Sequence, residues 1–307
     1  MTSMSVLISE VGPRDGLQSV SSVMSTDHKM AWIQALHQAG LREIEVCSCV
    51  PAKHLPQMAD AAQIIRYATT LPELTVMALV PNLKGAQDAI TAGAHKLTVP
   101  ISASETHSLA NVRKSREDML QEIRSIVALK NEMAPQVKLE AGISTAFGCT
   151  IEGQVSEDDV VWLAGELDRI GVDEIGLSDT TGMANPQHVR RLFQKVRAAI
   201  GPKTGAAHMH NTRGLGLANC LAAFDVGVTT FDSSQGGLGG CPYAPGASGN
   251  VVTEDLVFMF EAMGIATHVN LSKLIDARQH LEIGLPNEAL YGMTPLAGLP
   301  KGWQQGL

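Results

Sequence analysis

Four stretches decide the fold: ALHQAGLREIEV at 35–46, AITAGAHKLTV at 89–99, LDRIGVDEIGL at 167–177 and AFDVGVTTFD at 223–232. In each, an amphipathic run closes on a glycine (Gly40, Gly93, Gly171 or Gly227), and an apolar, strand-like run follows shortly after. A helix ending in a left-handed residue favours glycine there, because a Cβ is crowded at positive φ. The unit is therefore helix, cap, strand. Working outward, strands are expected at 6–12, 43–49, 75–81, 96–102, 138–145, 174–179, 205–210 and 229–234. Helices are expected near 27–39, 54–68, 83–92, 117–133, 156–169, 186–200, 216–226 and 252–263. Eight strands alternating with eight helices predict parallel pairing, and eight is the number that closes a (β/α)8 TIM barrel. A doubly wound sheet would usually carry GxGxxG after its first strand, whereas the turn here reads GPRDG at 12–16. A further helix is expected at about 271–283. The chain 1–307 is read as one barrel domain with a C-terminal extension from about 265.

The 307 residues are 45% hydrophobic and 18% charged, which supplies a large core and argues against disorder or a coiled coil. Lys and Arg number 23 against 31 Asp and Glu, a net charge of −8. A chain of that sign has no general field for phosphate backbones, so nucleic acid is not an expected partner. No run of about 18 apolar residues occurs, so no membrane span is expected. Residues 1–10 carry no positive charge ahead of their short apolar run, so a secretory leader is not expected. The cysteines at 47, 49, 149, 220 and 241 are odd in number and lack zinc-type pairing, which suits reduced thiols in a cytoplasm.

In barrels of this kind, function gathers where strands end. The first strand delivers Glu10, Arg14, Asp15 and Gln18, the second Glu45 and Ser48, and the sixth Asp179 within SDTT at 178–181. The seventh carries His208 and His210, two apart and so on one face of the strand. Two imidazoles converging on a barrel mouth need a shared proton, a metal or an anion. Asp15 and Asn250 become their neighbours once the barrel closes, which favours a metal. Two nitrogens and two oxygens without a thiolate suit Mg²⁺ or Mn²⁺, with Zn²⁺ also compatible. Arg14, between Gly12-Pro13 and Gly16, reads as a positioned cation that stabilises an enolate oxygen. Cys241 lies in GGLGGCPYAPGASG at 236–249, where six of fourteen residues are glycine; the stretch reads as a lid carrying a thiol over the mouth. Cys47 and Cys49 share a strand face and read as core. Glu45 and Glu140 fall inside expected strands, where a carboxylate needs a partner. Glu45 is expected to orient Arg14 or a metal ligand. Glu140, on the face of Gly142 and Ser144, either looks into the pocket or sits at a solvated strand end.

EVGPRDGLQ at 10–18, PNLKG at 81–85, SDTTGMANP at 178–186, HMHNTRGLGLAN at 208–219 and GGLGGCPYAPGASGNVVTEDLV at 236–257 together resemble the hydroxymethylglutaryl-CoA lyase family, in order and over nearly the whole chain. The resemblance implies a metal-dependent TIM barrel, often dimeric or of higher homo-oligomeric order, acting on an acyl-CoA. It implies a divalent cation held by Asp15, His208, His210 and Asn250. It makes Arg14 the residue that meets the enolate and gives Cys241 a part in proton transfer. Glu45 and Asp179 become supporting or acid–base groups, and Asn82 and Lys84 border the CoA side. The implied reaction splits a 3-hydroxyacyl thioester into acetyl-CoA and a keto acid.

The chain departs from the better-studied lyases at the acyl end. Those carry Asp and Tyr where this chain has Asn211 and Arg213, Arg and Tyr where it has Glu140 and Gly142, and Ser where it has Gly176. The two glycines are expected to make room, so a related or bulkier 3-hydroxyacyl-CoA rivals 3-hydroxy-3-methylglutaryl-CoA. Arg213 is expected either to hold a substrate carboxylate or to pair with Glu140. A condensing transferase of the same barrel class is the next alternative, followed by a pyruvate-type aldolase and a binding module.

Overall fold

The computed structural model describes residues 4–239 and 249–305. Eight parallel strands follow one another around a closed barrel: β1 (Leu7–Glu10), β2 (Glu43–Ser48), β3 (Thr75–Leu79), β4 (Lys96–Ser102), β5 (Lys138–Ser144), β6 (Glu174–Ser178), β7 (Thr204–His208) and β8 (Thr230–Ser233). Strand β8 returns to β1 with Leu7 opposite Thr230 and Glu10 opposite Ser233. The helices that follow the strands are α1 (Thr26–Gln38), α2 (Ala61–Ala68), α3 (Leu83–Ala92), α4 (Arg116–Met133), α5 (Glu157–Ile170), α6 (Pro186–Ile200), α7 (Gly216–Phe224) and α8 (Thr253–Ala262). The expected (β/α)8 barrel is the one found. The four glycines that close the repeated unit all have positive φ: 107° at Gly40, 102° at Gly93, 95° at Gly171 and 90° at Gly227.

The strands present opposite chemistries on their two faces. Ile8, Ile44, Val76, Leu97, Leu139 and Ile175 are buried in the core between sheet and helices. The alternate face is polar, with Ser9, Glu43, Lys96 and Glu140 also buried. Lys96 on β4 reaches carboxylates on β2 and β6, each two strands away, so this polar set fills the barrel axis.

Some elements differ from the sequence reading. The helix expected from 54 starts at Ala61, after a 3₁₀ turn at Pro56–Met58. An unforeseen helix, Glu105–Val112, precedes α4 and is capped by Ser104, whose hydroxyl accepts from His107 N. The expected helix 271–283 is split into Leu271–Ala277 and Gln279–Gly284 at Arg278. There the Arg278 guanidinium turns inward to Glu254 at 3.0 Å and to the Tyr291 carbonyl at 2.9 Å. Among the described residues, no helix is long and apolar enough to cross a membrane.

Candidate active site

The turn after β1 sets the site. Val11, at the end of the strand, accepts from the backbone N–H groups of Arg14 (3.1 Å) and Asp15 (2.7 Å), winding Gly12–Gly16 into one wide helical turn. Crowding explains the glycines. A Cβ on Gly12 would lie 2.5 Å from Glu10 Oε1, and one on Gly16 would lie 2.9 Å from Leu238 Cβ. Glu10 pins the turn from below. Its carboxylate accepts from Gly12 N (2.8 Å), Gln235 N (2.9 Å) and the Thr253 hydroxyl (2.6 Å). Burial pushes the Glu10 pKa up to about 8 against the pull of those bonds. One carboxyl thus joins β1, the loop after β8 and the start of α8.

Arg14 is held by two carboxylates, Nε to Glu45 at 2.5 Å and Nη1 to Asp15 at 2.6 Å. Glu45, from β2, also accepts from the Thr98 hydroxyl. Burial raises the Glu45 pKa, with Arg14 and Thr98 opposing. The expectation that Glu45 orients Arg14 is met. The second Asp15 oxygen accepts from Asn250 Nδ2 at 2.6 Å and lies 3.9 Å from His208 Nε2. Burial alone would raise Asp15, but Arg14, the two histidines and Asn250 outweigh it and hold its pKa at about 2.

His208 ends β7, and His210 follows on the same face. Their Nε2 atoms are 3.1 Å apart. Two ring lone pairs at that separation repel unless a proton or a cation lies between them. Asp15, His208 and His210 each offer a ligand atom within 4.8 Å of the others. Asn250 Oδ1 is buried beside them and has no partner among the described residues. Two imidazoles, a carboxylate and an amide oxygen, with no thiolate, fit a divalent cation.

Asp232 was not foreseen. It stands opposite His208 in the β7–β8 register, and its Oδ2 is 3.0 Å from His208 Nδ1. A carboxylate there fixes the tautomer and points Nε2 at the site. Burial would lower the His208 pKa, but Asp232 and Asp15 outweigh it and raise it. Burial and the charge of His208 take His210 down to about 4.

Asp179 follows β6 beside the histidine strand, its backbone N–H donating to the His208 carbonyl at 2.9 Å. Its Oδ1 accepts from Met183 N (2.8 Å) and Ala184 N (3.0 Å), while its buried Oδ2 has no partner among the described residues. Burial raises its pKa to about 7. The Ser48 hydroxyl at the end of β2 is also buried without a partner among the described residues. Gln18 is half-buried on the short helix Leu17–Ser19. Asn82 caps α3, accepting from Gly85 N at 2.9 Å, and exposed Lys84 pairs with Asp88 at 2.6 Å. Cys47 is buried and Cys49 partly buried against the core, as expected. Cys241 lies outside the described residues.

Two expectations are corrected. Arg213 does not pair with Glu140: its Nη1 donates to the Thr181 (3.0 Å) and Gly182 (2.7 Å) carbonyls. Glu140 pairs instead with Lys96 Nζ at 2.8 Å, an ammonium that also meets Glu174 at 2.6 Å and Glu43 at 3.5 Å. Nor does Gly176 make room, because a Cβ there would lie 2.9 Å from the Ala206 carbonyl and 3.0 Å from Glu140 Oε1. Gly142 does, since only Ser178 Oγ would come within 4 Å, at 3.9 Å.

This geometry can be set beside known proteins. The HMGL-like family model matches residues 5–281. The chain belongs to that family. Among curated members, hydroxymethylglutaryl-CoA lyase YngG of Bacillus subtilis (strain 168) is 41% identical over 279 residues, covering 90% of this chain and 92% of that protein. The cytoplasmic 3-hydroxy-3-methylglutaryl-CoA lyase of Mus musculus is 40% identical over 276 residues, covering 90% and 80%. A solved HMG-CoA lyase from Acinetobacter baumannii, in complex with coenzyme A and 3-methylmalate, superposes with a TM-score of 0.91 at 39% identity, covering 98% of this chain and 97% of that one.

Proposed function

We propose that the protein is a divalent-cation-dependent carbon–carbon lyase that cleaves 3-hydroxy-3-methylglutaryl-CoA to acetyl-CoA and acetoacetate. The convergence of Asp15, His208 and His210 beside a clamped Arg14 carries this reading, in a chain of the HMGL-like family. Asp15, His208, His210 and Asn250 would hold Mg²⁺, Mn²⁺ or Zn²⁺. A cation bound there lowers the pKa of the substrate's 3-hydroxyl.

The chain's own groups do the rest. Asp179, whose Oδ2 has no partner among the described residues, takes the hydroxyl proton. As the C2–C3 bond breaks, its electron pair passes into the thioester, giving an enolate at C2. Arg14 is already fixed by Glu45 and Asp15 and places its remaining N–H donors over that oxyanion without reorganisation. Cys241, which follows β8 in the sequence, returns a proton to C2 and completes acetyl-CoA. Ser48, Gln18 and Arg213 orient the acyl group, and Asn82 and Lys84 border the CoA chain.

The test is acetyl-CoA release from 3-hydroxy-3-methylglutaryl-CoA with Mg²⁺ or Mn²⁺ present. Chelation should abolish it and added cation should restore it. His208→Ala should lose cation affinity while keeping the fold. Full activity in metal-free His208→Ala protein refutes the assignment.

A further inference from the structure

The inward residues of the barrel divide into three levels. Uppermost are Ser178 and His208, opposite one another in the β6–β7 register and both partly accessible. Two residues lower along β6 lies the level of Gly142 and Gly176, paired across β5 and β6. The lowest holds Lys96 and Glu43, both buried, while the buried Glu140 carboxylate rises to the glycine level, where a Cβ on Gly176 would lie 3.0 Å from its Oε1. Pro100, opposite Gly142, is accessible from within, as are Thr98 and Gly142 itself. Outward-facing neighbours on the same strands, such as Leu97, Val99, Ala141 and Ile143, are 0% exposed. A hollow therefore descends from the candidate site to the Glu140 carboxylate, over Gly142, through roughly 7 Å of strand.

The floor of this hollow decides what it takes. An ammonium has three N–H donors. Lys96 has three carboxylate partners, at 2.6, 2.8 and 3.5 Å, so it has no donor left for a substrate anion. Three carboxylates against one ammonium also make the floor a poor neighbour for negative charge. Above it the wall is Gly142, Pro100 and Leu79, with the hydroxyls of Thr98 and Ser178.

We propose that the hollow over Gly142 receives the C3 substituent of the thioester and accepts uncharged substituents longer than the methyl of 3-hydroxy-3-methylglutaryl-CoA. The inference rests on the lyase reading and names its substrate class: a 3-hydroxy-3-alkylglutaryl-CoA, cleaved to acetyl-CoA and a longer 3-oxo acid.

The experiment compares three thioesters on the Mg²⁺-loaded enzyme, with methyl, n-butyl or 3-carboxypropyl at C3. The butyl compound should be cleaved with kcat/KM at least equal to that of the methyl compound. The carboxypropyl compound should fall at least tenfold below the butyl one. Gly142→Leu fills the hollow and should lower the butyl-to-methyl ratio at least tenfold; Gly142→Ala should lower it in the same direction by less. The inference is overturned if the wild type prefers methyl over butyl by tenfold or more, or if it accepts the charged chain as well as the butyl chain. An unchanged ratio in both folded variants overturns it as well. Cleavage of the methyl compound alone would leave the lyase reading standing, whereas cleavage of none would remove that reading too.

Discussion

Glu140→Gln tests the barrel floor directly. In the folded protein, burial raises the Glu140 carboxyl from 4.5 to about 7, although Lys96 pulls the other way. A raised acid holds its proton in the native state while the unfolded chain has already released it. Its stabilising contribution is therefore present below pH 4.5, is lost as pH rises to about 7, and changes no further above that. The shift corresponds to about 3 kcal/mol. Glutamine keeps the shape and cannot ionise, and Lys96 keeps Glu43 and Glu174. The variant should match wild type near pH 4.5 and exceed it at pH 8 by about 3 kcal/mol. Urea unfolding at intervals of pH, followed by fluorescence of the fully buried Trp32, measures the difference. A variant less stable than wild type at pH 8 by a similar amount would show that the Lys96 ion pair outweighs burial, and the reasoning would fail.

Asp232→Asn should weaken cation affinity about 10–100-fold through loss of His208 orientation, with a smaller change in kcat at saturating cation; unchanged affinity by calorimetry contradicts the role. Arg14→Met should lower kcat by roughly 10³-fold with a modest change in KM, as for a lost oxyanion donor; an effect confined to KM would make Arg14 a binding residue. Gly12→Ala forces a methyl to 2.5 Å from Glu10 Oε1. It should cost about 1–3 kcal/mol of stability, and a variant with the wild-type urea midpoint would show that the turn has more freedom than its contacts imply.

Most of the barrel was legible because its units repeat. The glycine caps and the two-residue period of the strands mark each helix-to-strand passage by backbone geometry alone. The helix Glu105–Val112 was missed because only His107 and Ser108 are buried, so it shows little apolar periodicity. The convergence at the mouth was readable from parity: His208 and His210 on one face, with Asp15 brought round by closure. Asp232 was equally available, standing in AFDVGVTTFD with inward parity on the strand beside β7, but its role needs the register that sets it opposite His208. Lys96 and Glu43 were passed over because charges at the start of a strand usually meet water. Here they point along the axis, and that decided where Glu140 found its partner.

The donors of the candidate site are distributed along the chain in an unusual way. Asp15 comes from just beyond the first strand, His208 and His210 from the seventh, and Asn250 from beyond the eighth. The Asp15–Asn250 contact spans the seam where β8 docks on β1. During synthesis the histidines emerge long after Asp15, and the amide comes last. No partial chain holds the full donor set, so tight capture of a cation by these four residues would report that the last strand has found the first. By mass action, a cation bound only by the closed form also shifts the equilibrium toward closure. A cation held by this donor set would then add to the stability of a barrel that closes without it, and the gain would grow with cation supply.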